Sequence, residues 1–170
     1  TAWPYGNRES FVGTLWPHAN RVAKSLGIAP EAIVSIAALE TGWGQSVMPG
    51  PDGRSSHNLF GIKADAKWTG ARVMMPTLEY ENGVAVKKTE AFRAYGSLAE
   101  AVDDFGRFVR GNPRYHQALA AGRDSERFGQ ALADAGYATD PAYGRKLAAI
   151  LRGQPLQTAL KSADAAPITG

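Results

Sequence analysis

Apolar positions along this chain recur mostly at helical intervals. Phe11, Leu15, Ala19, Val22 and Leu26 return every three or four residues, which places them on one helix face, and Gly27 supplies a stop. Pro17 lies inside that run and predicts a kink or a fresh start. A second run opens at Pro30, suited to a first helical position, and carries Ile33, Ile36, Ala37 and Glu40 on one stripe before Gly42 breaks it. A carboxylate therefore occupies the core-facing side of an apolar helix end, in the string AALETGWG, where burying a charge is costly. From residue 48 to 70 the period disappears. Gly, Pro, Asp and Ser dominate there, and a long loop of the kind that carries function is expected.

Two strands follow. RVMMPTLEY (72 to 80) and VAVKKTEAF (84 to 92) flank Asn82-Gly83, two residues that accept the positive φ of a tight hairpin turn. A two-residue turn sets Glu79 opposite Val86 and diagonal to Lys88, and Pro76 belongs on an edge strand because it cannot donate to a ladder. Helical period resumes at Ser97, which forms a capping box with Glu100 ahead of Leu98, Val102, Phe105 and Val109. Asn112-Pro113 begins a short helix, and residues 125 to 135 form a longer one ending at Gly136. Asp140-Pro141 opens another, with Tyr143, Leu147 and Ile150 inward and Gly153 closing it. Residues 153 to 170 lose clear amphipathic period and read as a C-terminal tail or linker. Helices around one small hairpin predict an α+β domain of predominantly helical type over residues 1 to 152, with its β-lobe at about 71 to 93.

Composition narrows the function. A chain of 170 residues, 44% apolar and 21% charged, is one globular domain with enough material for a core. No apolar run is long enough to cross a bilayer, so no membrane insertion is expected. The opening TAWPYGNRES lacks a basic segment leading into an apolar stretch, so any export signal is removed or of another type. The absence of cysteine excludes disulfides, thiolate nucleophiles and cysteine metal sites. His18, His57 and His116 are scattered, and no metal site is expected. A net charge of +3 without basic runs argues against nucleic acid while tolerating an anionic polymer.

Glu40 is the residue that asks for chemistry. At the inner end of a helix, beside Trp43 and apolar neighbours, its carboxyl should resist ionisation, because desolvation penalises the charged form. A carboxyl protonated near neutral pH is the general acid that cleavage of a glycosidic bond needs, in company with a second carboxylate. Position alone better fits a plain helix-end glutamate, or a buried one satisfied by a structural hydrogen bond.

The ordered strings AALETGWGQS, NLFGIKA, TLEYENG, FRAYGS and GYATDPAYGRKL span roughly residues 8 to 152. Together they resemble the bacterial cell-wall glucosaminidases of glycoside hydrolase family 73, most closely its flagellar-rod members. The resemblance implies a lysozyme-like fold, in which a helical lobe and a small β-hairpin lobe flank a substrate cleft. It implies an endo-β-N-acetylglucosaminidase that cleaves peptidoglycan glycan strands after N-acetylglucosamine, without metal or organic cofactor, so that a flagellar rod can penetrate the wall. Glu40 matches the family's acid. Glu79, in LEYENG, matches its second carboxylate, which activates water or steadies positive charge at the anomeric centre. Tyr137, in GYATDP, matches a tyrosine near the cleaved bond.

Read without the resemblance, Glu79 is a solvated strand residue paired with Lys88, Glu81 competes for its role, and Tyr137 is a core tyrosine easily confused with Tyr143. Trp43, Asn58, Phe60 and Tyr95 are candidates for substrate binding, offering flat faces to sugar rings and an amide to N-acetyl groups. Core packing is the plain alternative for Phe60 and Tyr95. The resemblance further implies the periplasm, and flagellar rod proteins as partners through an N-terminal region that these residues lack. Attack by water with inversion and attack by the substrate's acetamido oxygen with retention stay open, as does movement of the β-lobe to bring Glu79 into place. The rival functions are a muramidase or lytic transglycosylase, and a non-catalytic wall-binding or rod-assembly module.

Overall fold

The computed structural model describes residues 5–165. Among them are helices α1 (Arg8–Leu26), α2 (Pro30–Thr41), α3 (Leu98–Gly111), α4 (His116–Ala120), α5 (Ser125–Asp134), α6 (Tyr143–Arg152) and α7 (Gln154–Ala165). Strands β1 (Arg72–Glu81) and β2 (Val84–Arg93) lie between α2 and α3 in the chain and make one antiparallel hairpin. The expected α+β architecture, mostly helical with one small hairpin, is the one observed.

Helix α2 is the hub. Every residue from 32 to 38 is buried, and the helix packs against α1, α5 and α6. A helix apolar on all sides belongs in a core, which explains why its C-terminal end can deliver a carboxyl into shielded surroundings. Gly42, at φ 57, ends it by turning its N–H back to the Ala38 carbonyl. Helix α1 continues through Pro17, so the residue marks no fresh start. Pro17 and Gly13 both lie on its exposed side, so the Gly13 carbonyl that loses its amide partner faces water.

The hairpin has the register expected from its turn, with Glu79 opposite Val86 and φ of 52° at Asn82 and 80° at Gly83. Its root is fixed to α3. Arg93 donates to Asp104 Oδ2 at 3.0 Å, and the Tyr95 hydroxyl donates to the same oxygen at 2.5 Å. Together they compensate a carboxylate that is 4% exposed. Farther out the hairpin is more open: Leu78 and Val84 are exposed, as is Met74 nearer the root. The Ser97 hydroxyl accepts from the Glu100 amide as expected, while the Glu100 carboxylate accepts from Gly96, one residue before the usual box partner.

The C-terminal segment corrects an expectation. Residues 154–165 are not a tail but α7, docked on α1 with Leu156 and Ala159 fully buried. The stripe of buried Leu156 and Ala159 and half-buried Leu160 and Ala163 has helical spacing, but half of it is alanine, whose hydrophobic signal is small. Residues 166–170 of the expected tail, like residues 1–4, lie outside the described residues.

Candidate active site

Between the helical body and the hairpin lies a cleft of about 650 Å³. Glu40 enters it from the end of α2, Gly61 and Lys63 from the long loop, and Glu79 from β1. Tyr137 and Thr139 line it from the connection between α5 and α6, and Tyr143 from the first turn of α6. Segments distant in sequence converge here because α2, α5 and α6 pack on one another.

Glu40 is held on two sides. The Tyr143 hydroxyl donates to Glu40 Oε1 at 2.8 Å. Below the carboxyl sits Gly61, at φ 64, and a Cβ there would stand 2.6 Å from Glu40 Oε2, too close for any side chain. Burial raises the proton affinity of Glu40, the Tyr143 hydrogen bond draws it partly back, and the negative charge of Glu79 adds to the rise, leaving a pKa of about 7. A substantial fraction of Glu40 is therefore protonated at neutral pH.

Glu79 has the reverse environment. Lys63 Nζ lies 2.6 Å from its Oε1, and Thr139 Oγ1 donates to its Oε2 at 2.8 Å. The same threonine oxygen accepts from the Tyr80 amide at 2.9 Å, so Thr139 fastens the hairpin to the helical body by side chain and backbone at once. Burial by itself would raise Glu79, but the hydrogen bonds from Lys63 and Thr139 and the charges of Lys63 and Lys88 outweigh it and hold the carboxyl below its ordinary range. Lys88, the partner suggested by the strand register, is ion-paired with Glu81 instead. Tyr137 completes the arrangement: its hydroxyl donates to the Phe60 carbonyl at 2.6 Å, its ring lies 5.9 Å from that of Tyr143, and burial keeps its phenol protonated.

The structure thus brings Glu40, Glu79 and Tyr137 to one cleft. It does not bring the four proposed sugar-binding residues there as ligand faces. Phe60 is 1% exposed with its ring on Phe105, and Tyr95 is committed to Asp104. Trp43 packs against the core with the Arg8 guanidinium 5.2 Å above its ring. Asn58 borders the cleft, but its amide is spent on the backbone, donating to the Ile62 and Arg93 carbonyls and accepting from the Phe60 and Ile62 amides. Its evident task is to shape the loop that sets Gly61 under Glu40 and to tie that loop to β2. Sequence reasoning missed Tyr143 as a partner of Glu40, and gave no site role to Lys63, Thr139 or Gly61. Tyr143 lies 103 positions from Glu40 and Thr139 lies 60 from Glu79, so no local spacing could reveal either pair.

A family described as mannosyl-glycoprotein endo-beta-N-acetylglucosaminidase matches residues 16–155, the stretch that contains every residue of this cleft. The chain belongs to the glucosaminidase family. The chain is 44% identical over 164 residues to the peptidoglycan hydrolase FlgJ of Pseudomonas aeruginosa, covering 96% of the chain and 41% of that relative. The chain therefore spans less than half the length of that relative. Among solved structures, a peptidoglycan hydrolase mutant from Sphingomonas sp. A1 superposes with a TM-score of 0.86 at 44% identity, covering 91% of this chain and 99% of that one. The glycoside hydrolase domain of Salmonella typhimurium FlgJ gives 0.72 at 34% identity, with 93% of each chain covered. The glucosaminidase fold of the described residues is thus the lysozyme-like one of these hydrolases.

Proposed function

We propose that this domain is an endo-β-N-acetylglucosaminidase that cleaves peptidoglycan glycan strands after N-acetylglucosamine, with Glu40 as general acid and Glu79 as the second carboxylate. The observation that carries the reading is that two carboxyls on opposite walls of one cleft have opposed proton affinities, one raised to about 7 and the other lowered. That division of states is what glycoside cleavage requires. Glu40 gives its proton to the glycosidic oxygen as the bond from the anomeric carbon to that oxygen breaks, and the leaving sugar departs as a neutral alcohol. Positive charge gathers at the anomeric centre, and the anionic Glu79 steadies it. Water then supplies the new hydroxyl, and the proton it sheds restores the acid.

Lys63 sharpens the role of Glu79. A carboxylate whose proton affinity is lowered by a close ammonium is a weak base and a dependable negative charge. This favours charge stabilisation over abstraction of a proton from water while Lys63 stays in place. Tyr137, its phenol protonated and anchored to the Phe60 carbonyl, lines the cleft, where it is suited to position the substrate's N-acetyl group or the water. The similarity to FlgJ proteins supports a place in the periplasm and a role in passing the flagellar rod through the wall, with rod proteins as partners of the longer protein.

Mass spectrometry of digested sacculi tests the reaction. Products with reducing-end N-acetylglucosamine are expected. Reducing-end muramic acid would make the domain a muramidase, anhydro-muramic ends a lytic transglycosylase, and an undigested wall a binding or assembly module.

A further inference from the structure

We infer that Tyr143 is a positioning residue that decides which oxygen of Glu40 carries the catalytic proton, keeping Oε1 as an acceptor and leaving the proton on Oε2, over the bare Cα of Gly61. The inference rests on the assignment of Glu40 as the acid and adds to it a defined geometry of delivery.

Three observations converge on it. The Tyr143 side chain lies in a residue only 4% exposed, and its hydroxyl has one hydrogen-bond partner among the described residues, Glu40 Oε1 at 2.8 Å. Buried, and beside a carboxyl that discourages a second negative charge, the phenol keeps its proton throughout the working range and donates it to that oxygen. In a carboxylic acid the carbonyl oxygen is the better acceptor, so a donor fixed at Oε1 selects Oε2 as the hydroxyl. Next, Glu40 Oε2 accepts no hydrogen bond among the described residues, yet it is not a sealed atom: the buried side-chain polar atom without a partner is Ser125 Oγ. An oxygen that is unpartnered and open toward a cleft is the one free to meet a substrate oxygen. Finally, Gly61 leaves the space that a Cβ would fill 2.6 Å from Oε2, so the carboxyl rests on backbone and any larger residue would push the proton-bearing oxygen away.

Tyr143→Phe keeps the ring and removes the donor. On a soluble peptidoglycan oligosaccharide, kcat at pH 5 should fall roughly tenfold to a hundredfold with KM little changed, because the acid is present but no longer aimed. The alkaline limb of the pH profile should also move to higher pH, since the hydrogen bond that favours ionised Glu40 is gone. The other titratable groups lining the cleft stay in place: Glu79 with Lys63, Asp65, Tyr80, Arg114, Tyr115, Tyr137, and Asp140 with Lys146. A limb that holds its position or moves down overturns the inference, as does a loss of activity that only tracks a loss of folded protein. Gly61→Ala gives an independent reading, and its kcat should fall at least as far; parental kcat in that variant would refute the seat over Gly61. Should Glu40→Gln remain active, the acid assignment itself is wrong. If Glu40→Gln is inactive while Tyr143→Phe keeps the parental profile, only the positioning role fails.

Discussion

Glu40 and Glu79 are the same functional group on two walls of one cleft, and the regions that carry them differ in every respect that matters to a proton. The end of α2 is anchored to the core: one carboxyl oxygen is bound by Tyr143, the group rests on Gly61, and burial favours the neutral form. The hairpin is a two-stranded ribbon fixed at its root by Arg93 and near its tip by Thr139, and there a lysine and a threonine favour the charged form. Such a ribbon has little stability of its own, so the state of Glu79 depends on contacts made across the cleft. Burial sets the acid, and reversible surface contacts set the anion.

Removing each carboxyl in turn is the strongest way to break this comparison. Glu40→Gln should slow clearing of a wall suspension about a thousandfold, within the usual range for a lost general acid, while the protein stays folded. Glu79→Gln should cost about a hundredfold, because charge stabilisation is shared with water and neighbouring dipoles. Equal or reversed losses would show that the division of labour is drawn wrongly.

The burial of Glu40 also has a cost in stability, with a definite sign. Its folded pKa lies above the unfolded value, so the native state binds the extra proton between about pH 4.5 and 7, and stability contributed by this group falls as pH rises through that window. Glu40→Gln escapes the penalty. Denaturant unfolding should show the variant gaining on the parent by up to about 3 kcal/mol between pH 4 and pH 8. A difference independent of pH would mean that Glu40 ionises as easily in the fold as out of it.

Much of the frame that makes this contrast possible is legible in the chain. Asn82-Gly83 fixes the hairpin register, and through it the facing of Glu79, because a two-residue turn allows one pairing only. The apolar run of α2 announces a buried helix, and Glu40 stands out in it as a carboxyl in the wrong company. What sequence could not supply are the groups that tune these carboxyls. Tyr143 and Thr139 arrive from beyond α5, and their meaning depends on tertiary packing. Lys63 is closer to Glu79 in sequence, yet the competing strand neighbour Lys88 had the better local claim and turned out to serve Glu81. Three of the four sugar-binding candidates are buried for one reason. Aromatic and amide side chains bury as readily as they bind, and in Phe60, Tyr95 and Asn58 burial won.

Smaller changes sharpen the hairpin side of the comparison. Lys63→Met removes the nearest positive charge, so the pKa of Glu79 should rise and the acid limb of the activity profile should move to higher pH, with about a tenfold loss at pH 5. An acid limb that does not move would detach Lys63 from the state of Glu79. Thr139→Val should have the smallest effect, a loss of about threefold to tenfold in activity with little change in thermal stability. Its more direct signature is faster hydrogen exchange at the Tyr80 amide, which loses its acceptor.

The helix-borne carboxyl keeps its proton near neutrality because its partial removal from water disfavours the charged form. Carbon-13 NMR titration of the Glu40 side chain, assigned by its disappearance in Glu40→Gln, measures this directly. A midpoint near 7 is the predicted result. A carboxyl already fully ionised at pH 5 would contradict the account.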